Sequence, residues 1–257
     1  LALAFKMTLE INQQETVIIK KETTVKLNDK SKVNTAIDNN SLVQNDKFNR
    51  TITGTVKFEG TLPPYQKLRL PKACAKQHSG NVILNNVIIN KGFLKNVMIR
   101  VKSGLEGINF PNKIPKTEVV FDQKACIYFP RVAMAQVGQV IRFKNSDPLF
   151  HNVKAITKKN KKFNKAMPKK DSSFTKIFQN EELHIQAKCS LHPWMGAHLA
   201  ILDHPYFSVS SQTGVFIINN LPTGKFIIEA WHEVFGTVEA EVDLTENPTQ
   251  DLQIVFK

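Results

Sequence analysis

Cys189-Ser190-Leu191-His192-Pro193-Trp194-Met195 places a thiolate, an imidazole and a thioether on one short stretch, three residues apart and then three more. A regular strand would point these side chains to different faces, so the spacing predicts a loop that wraps a single ion. A fourth ligand has to come from elsewhere. Asn145-Ser146-Asp147-Pro148-Leu149-Phe150-His151-Asn152-Val153 offers His151, next to a turn former and an apolar strand. Taken singly each residue is a weak signal, since a lone His or Met is more often packing or surface. Four compatible ligand types in two separate β-loops are a much rarer coincidence. Two imidazoles and a thiolate with a weakly bound thioether suit copper cycling between two oxidation states, whereas closed zinc sites more often use Cys and His alone. The predicted ligands of one mononuclear copper are His151, Cys189, His192 and Met195, with Asn152 bracing the two ligand loops. His198, six residues after His192, is the alternative axial ligand.

Outward from these loops the chain reads as short β runs. Thr51 to Phe58 alternates and is closed by Glu59-Gly60; Val97 to Val101, Val119 to Phe121, Ile127 to Phe129, Val132 to Val137 and Val140 to Phe143 follow. Further strands are expected around Val153 to Ile156, Thr175 to Phe178, Leu183 to Lys188 and Leu199 to Leu202. Val215 to Ile218, Phe226 to Ala230, Val238 to Val242 and Leu252 to Phe256 complete the set. Helical periodicity is almost absent, which predicts an all-β chain of sandwiches. The stretch 154–170 carries eight lysines and no acid, and reads as a solvated basic excursion rather than a core strand. Residues 1–50 hold eight basic and six acidic residues, one short strand candidate at Thr16 to Ile19 and no long apolar period. They read as an extended arm or linker, not a basic nucleic-acid arm.

At 257 residues and 42% hydrophobic composition, the chain can build one large or two small β-domains. No apolar run reaches the roughly 18–20 residues of a membrane span. The opening Leu1-Ala2-Leu3-Ala4-Phe5 reads as the remnant of a secretory segment or the start of a processed chain. Three cysteines exclude a disulfide-dense scaffold and permit one bridge, Cys74 to Cys126, with Cys189 free. A net charge of +13 is compatible with nucleic acid, anionic lipid or an acidic protein as partner. The basic residues do not alternate with aromatics as a stacking platform would, and no catalytic triad order, phosphate loop or His-Glu-x-x-His pattern is present.

Residues 119–204 resemble the cupredoxins, the type 1 blue copper proteins, and within them the amicyanin- and plastocyanin-like branch. The resemblance rests on the Cys189 to Met195 loop and the His151-Asn152-Val153 triplet. Ile127-Tyr128-Phe129-Pro130 and Val137-Gly138-Gln139-Val140-Ile141-Arg142-Phe143 resemble that family's preceding strands. It implies a Greek-key β-sandwich in the periplasm or otherwise outside the cytoplasm, and hence a Cys74–Cys126 disulfide once Cys189 is assigned to the metal. The flanks, 51–118 and 205–257, resemble a carboxypeptidase regulatory-like (transthyretin-like) sandwich. They do so through Ile52-Thr53-Gly54-Thr55-Val56 and Asn96 to Val101 at one end, and Gly214 to Phe226 with Ala230-Trp231-His232-Glu233 at the other. On that resemblance the copper domain is either inserted within the second sandwich or packed against it so that they share a core.

One-electron transfer is the expected function, since the four ligands leave no open position for a substrate such as nitrite or a peroxide. The expectation is a carrier or a subunit of a redox complex, not an enzyme. The rival reading is a scaffold subunit of an extracytoplasmic assembly in which copper is secondary. The expected partner is an acidic cytochrome or oxidoreductase, with association to a larger membrane-bound complex, and no nucleic acid. Trp231-His232-Glu233 reads as a packed strand end rather than a second metal site.

Overall fold

The computed structural model describes residues 46–257 apart from Gln66, Asn81 and Asn85. The strand candidate at Thr16 to Ile19 and nearly all of the expected arm lie outside the described residues. The first strands are β1 (Arg50–Phe58), β2 (Ile89–Asn90), β3 (Phe93–Leu94) and β4 (Met98–Ser103). Then come β5 (Val119–Lys124), β6 (Ile127–Phe129), β7 (Val132–Gln136), β8 (Val140–Asn145), β9 (His151–Ile156) and β10 (Phe163–Met167). They are followed by β11 (Ser173–Ile177), β12 (Glu182–Lys188) and β13 (Gly196–Leu202). The last five are β14 (Phe207–Val209), β15 (Val215–Leu221), β16 (Lys225–His232), β17 (Gly236–Asp243) and β18 (Thr249–Phe256). A short α-helix, α1 (Lys72–Ala75), carries Cys74.

The architecture is all-β, built from two β-sandwiches. Sheets in the order β11-β8-β5-β6 and β10-β9-β12-β13-β7 form the first. In it β5 runs parallel to β8 and β7 parallel to β13. Alternation sets which side chains meet in the middle. From one sheet come Phe121, Ile141 and Phe143, and from the other Val153, Met167, Ile185, Ala187 and Leu199. The second sandwich joins the β1, β2, β3, β15 and β18 sheet to the sheet ordered β14-β4-β16-β17. On β1, Ile52, Val56 and Phe58 enter its core at every second position, with Gly54 among them. A Cβ on Gly54 would fall 2.2 Å from the Leu252 carbonyl oxygen and 2.6 Å from the Phe216 ring, so only glycine allows that approach.

A third cluster lies where the sandwiches meet. Met98, Val132, Met134, Ala200 and Leu202 are buried there, with Phe207, Val209 and Trp231 against them. This covers the second face of β7, all five of whose residues are buried. It is the physical reason for the unbroken apolar run at Val132 to Ala135, since a strand buried on both faces loses its alternation.

The basic stretch differs from the expectation. Within it Phe163 to Met167 forms β10, an edge strand antiparallel to β9, with Met167 opposite His151. Met167 is buried and Phe163 packs against the same core, while the lysines stay exposed. Two well-spaced apolar anchors suffice to dock an edge strand whose other side chains face water.

Candidate metal centre

Adjacent strands bring the two ligand loops together. β9 pairs with β12, with Lys154 opposite Lys188, so His151 at the start of β9 and Cys189 just past β12 lie at the same end of the sheet. The loop from Cys189 to Met195 closes on itself: the Cys189 N–H donates to the Met195 carbonyl at 3.2 Å and the Met195 N–H to the His192 carbonyl at 2.8 Å. Within it the His192 ring lies 5.2 Å from the Trp194 ring.

Three of the four predicted ligands converge. Cys189 Sγ is 3.9 Å from His151 Nδ1 and 3.6 Å from His192 Nδ1, and the two Nδ1 atoms are 3.0 Å apart. A triangle with those edges has its centre about 2 Å from every corner, the length of a bond from a metal to imidazole nitrogen or thiolate. The donor set therefore fits a copper ion, with one soft thiolate and two imidazole lone pairs. Met195 is 1% exposed, buried in the same cluster as Cys189. His198 sits elsewhere, with Nε2 3.3 Å from Glu233 and its ring 5.2 Å from that of Trp231.

Asn152 joins the loops as expected. Its Oδ1 accepts the Ser190 N–H at 2.7 Å and lies 3.3 Å from Cys189 Sγ, while its Nδ2 donates to Ser190 Oγ at 3.1 Å. Gln123, fully buried, donates from Nε2 to the Asn152 carbonyl at 3.0 Å and to the Tyr128 hydroxyl at 2.9 Å. Sequence reasoning missed Gln123 and Tyr128, because neither lies near a ligand in the chain.

Charge is organised around the site. Burial would lower the His151 pKa, yet hydrogen bonds to Asp147 and Cys189 carry it up to about 9. Burial would raise the Cys189 thiol, but the His151 contact and nearby N–H groups bring it below its ordinary value. Burial, with His151 beside it, lowers His192 and keeps that imidazole neutral.

Cys74 and Cys126 form a disulfide with Cα atoms 5.7 Å apart, leaving Cys189 free and buried. Both sulfurs lie within 4.8 Å of a His192 ring nitrogen. Cys126 is the second residue of a two-residue turn, since Lys124 and Ile127 pair across β5 and β6. Ala125 and Cys126 have φ of 53° and 55°. Such a hairpin turn normally takes Asn-Gly, and each non-glycine residue there costs about 1–2 kcal/mol. The Trp194 indole N–H donates to the Cys126 carbonyl at 2.9 Å, tying the turn to the ligand loop.

No family model matches the chain, and no curated protein matches it. Matches among solved structures include a copper-containing nitrite reductase (NirK) from Thermus scotoductus SA-01, 20% identical over 33% of this chain and 22% of that one, with a TM-score of 0.30. The chain thus spans about a fifth of that enzyme's length. A purple cupredoxin from Nitrosopumilus maritimus is 22% identical over 32% of this chain and 98% of its own, with a TM-score of 0.28. A reduced variant of amicyanin is 19% identical over 35% and 86%, with a TM-score of 0.31.

Proposed function

We propose that the protein transfers single electrons through one type 1 copper held by His151, Cys189, His192 and Met195, and that it is not itself an enzyme. The observation carrying this reading is the Cys189, His151 and His192 triangle, whose centre lies at metal-bonding distance from all three atoms. Bound there, copper would supply a one-electron couple between the cuprous and cupric states. The chain's own part is to hold the donors still. Asn152 fixes both loops, and the Cys189 to Met195 backbone bonds close the ligand loop, so little rearrangement accompanies the change of charge.

Around His192 the surface is apolar. Leu191 is 55% exposed and Phe150 49%, with Pro193 exposed beside them. This collar is suited to a short-range contact with a redox partner, and the lysines of 154–170 to steering an acidic one, such as a cytochrome. Placement outside the cytoplasm is supported by the Cys74–Cys126 disulfide. Among the described residues no helix is long and apolar enough to cross a membrane.

The test is a visible spectrum with a metal count on purified protein loaded with cupric ion. One copper per chain and an intense visible band are expected, with the band lost in Cys189→Ser. A Cys189→Ser protein that keeps the same absorption ends the assignment.

A further inference from the structure

Behind His151, on the side away from Cys189, stands a buried carboxylate that the ligand set does not use. Asp147 is 1% exposed. Its Oδ1 accepts the Ala125 N–H at 2.6 Å, and its Oδ2 accepts the Cys126 N–H at 2.8 Å. The same Oδ2 lies 2.9 Å from His151 Nε2. Its own N–H donates to Asn145 Oδ1 at 2.9 Å. A carboxylate is costly to bury unless it is paired and hydrogen-bonded, and this one is satisfied from three directions.

We infer that Asp147 is a positioning residue for the metal ligand His151. Its carboxylate fixes which imidazole nitrogen faces the site and sets negative charge behind the ligand. The inference rests on the copper reading above. A neutral imidazole that donates from Nε2 to a carboxylate keeps its lone pair on Nδ1, so the ring that has given up its second proton to bind a metal presents that lone pair at the atom aimed at Cys189 and His192. The carboxylate in turn is held by the Ala125–Cys126 turn, whose two left-handed residues direct both N–H groups onto it. Disulfide, turn, carboxylate and ligand therefore form one continuous chain of contacts, and His151 is oriented from a strand pair that carries no ligand.

A carboxylate serving only the turn would need to meet Ala125 and Cys126 and nothing else. Oδ2 instead serves the turn and the imidazole together, which couples it to the ligand's electronic state. Negative charge behind His151 favours the more highly charged ion, so it holds the reduction potential down.

The test uses the full chain loaded with copper and the near-isosteric variant Asp147→Asn. The variant should stay blue, lose about 10- to 100-fold in cupric affinity, and lose less in cuprous affinity. Each tenfold difference between the two losses raises the potential by about 59 mV. A blue, folded variant with an unmoved potential overturns the inference and leaves the copper assignment standing. A wild-type protein that takes up no copper sinks the assignment first. Should Asp147→Asn not fold, nitrogen-15 spectra of the wild-type protein in its cuprous form decide the matter. His151 should carry a slowly exchanging proton on Nε2, and a proton on Nδ1 instead, or rapid exchange at Nε2, refutes the role.

Discussion

Two groups of imidazoles come out of this chain, and opposite chemistry settles them. His151 and His192 turn their Nδ1 atoms toward one another and toward Cys189, so that three potential donor atoms converge on one point. His198 and His232 lie near Trp231 and Glu233 instead, where the cation is already supplied. Arg131 grips the Glu233 carboxylate through Nε and through Nη2 at 2.6 Å, and His198 Nε2 approaches the same carboxylate at 3.3 Å. His232 is 1% exposed, stacked on Phe235 at 4.8 Å, with Nδ1 accepting the Val234 N–H. The count of nearby histidines does not distinguish a metal centre from a packed ion pair. What distinguishes them is whether the ring nitrogens converge on a shared point or face a carboxylate already held by Arg131 and a backbone N–H.

The comparison breaks most visibly if the second group can be emptied without consequence. Glu233→Ala leaves Arg131 half-buried without its partner and removes the acceptor facing His198. It should cost about 3–5 kcal/mol in urea unfolding of the metal-free protein, with the visible band of the loaded form unmoved. A shifted band would mean that the two histidine groups are not independent.

A somewhat smaller effect follows from acid. Burial lowers the His232 pKa to about 4; Glu233 opposes this, and Arg131 and His198 add to it. The unfolded chain takes up that proton near pH 6.5, the folded one only near 4. The stability contributed by a neutral His232 is therefore complete above pH 6.5 and is lost as the pH falls from 6.5 to 4, by about 3 kcal/mol. In His232→Phe, which keeps the stacking face, the loss of stability between pH 7 and pH 4.5 should be smaller by most of that amount. Equal slopes for the two proteins would show that the imidazole takes up its proton without unfolding the strand end.

What was legible in the sequence was whatever local spacing encodes. The Cys189, His192 and Met195 offsets define a loop, and the alternation in Thr51 to Phe58 defines a strand, because both patterns act over a few residues. The Cys74–Cys126 bridge followed once Cys189 had been assigned, and it is present. Strand β10 was hidden because its two anchors, Phe163 and Met167, are separated on their shared face by Lys165, so no apolar alternation shows in the sequence. Asp147 was hidden for a different reason. In Ser146-Asp147-Pro148 an acid reads as a turn former, and its donors at Ala125 and Cys126 lie more than twenty residues away. The apolar seam of Met98, Met134 and Trp231 is likewise a product of tertiary packing, assembled from strands far apart in the chain.

The smallest effect on fold and metal site is expected from the lysines. All eight lysines from Lys154 to Lys170 are exposed. Several lie on or beside β10, which has a partner strand on one side only. Lysine on an edge strand discourages other strands from pairing with it, and that alone would account for the composition. Glutamate blunts an edge equally well, so replacing Lys161, Lys162, Lys165 and Lys169 with Glu separates edge protection from steering. Solubility, the visible spectrum and the urea midpoint should change little, since surface substitutions away from special contacts stay within about 0.5 kcal/mol each. If the face steers an acidic partner, stopped-flow oxidation by an acidic c-type cytochrome should slow by about tenfold or more at low ionic strength, and the rate should lose its fall with added salt. An unchanged rate and salt slope would reduce these lysines to the protection of an edge.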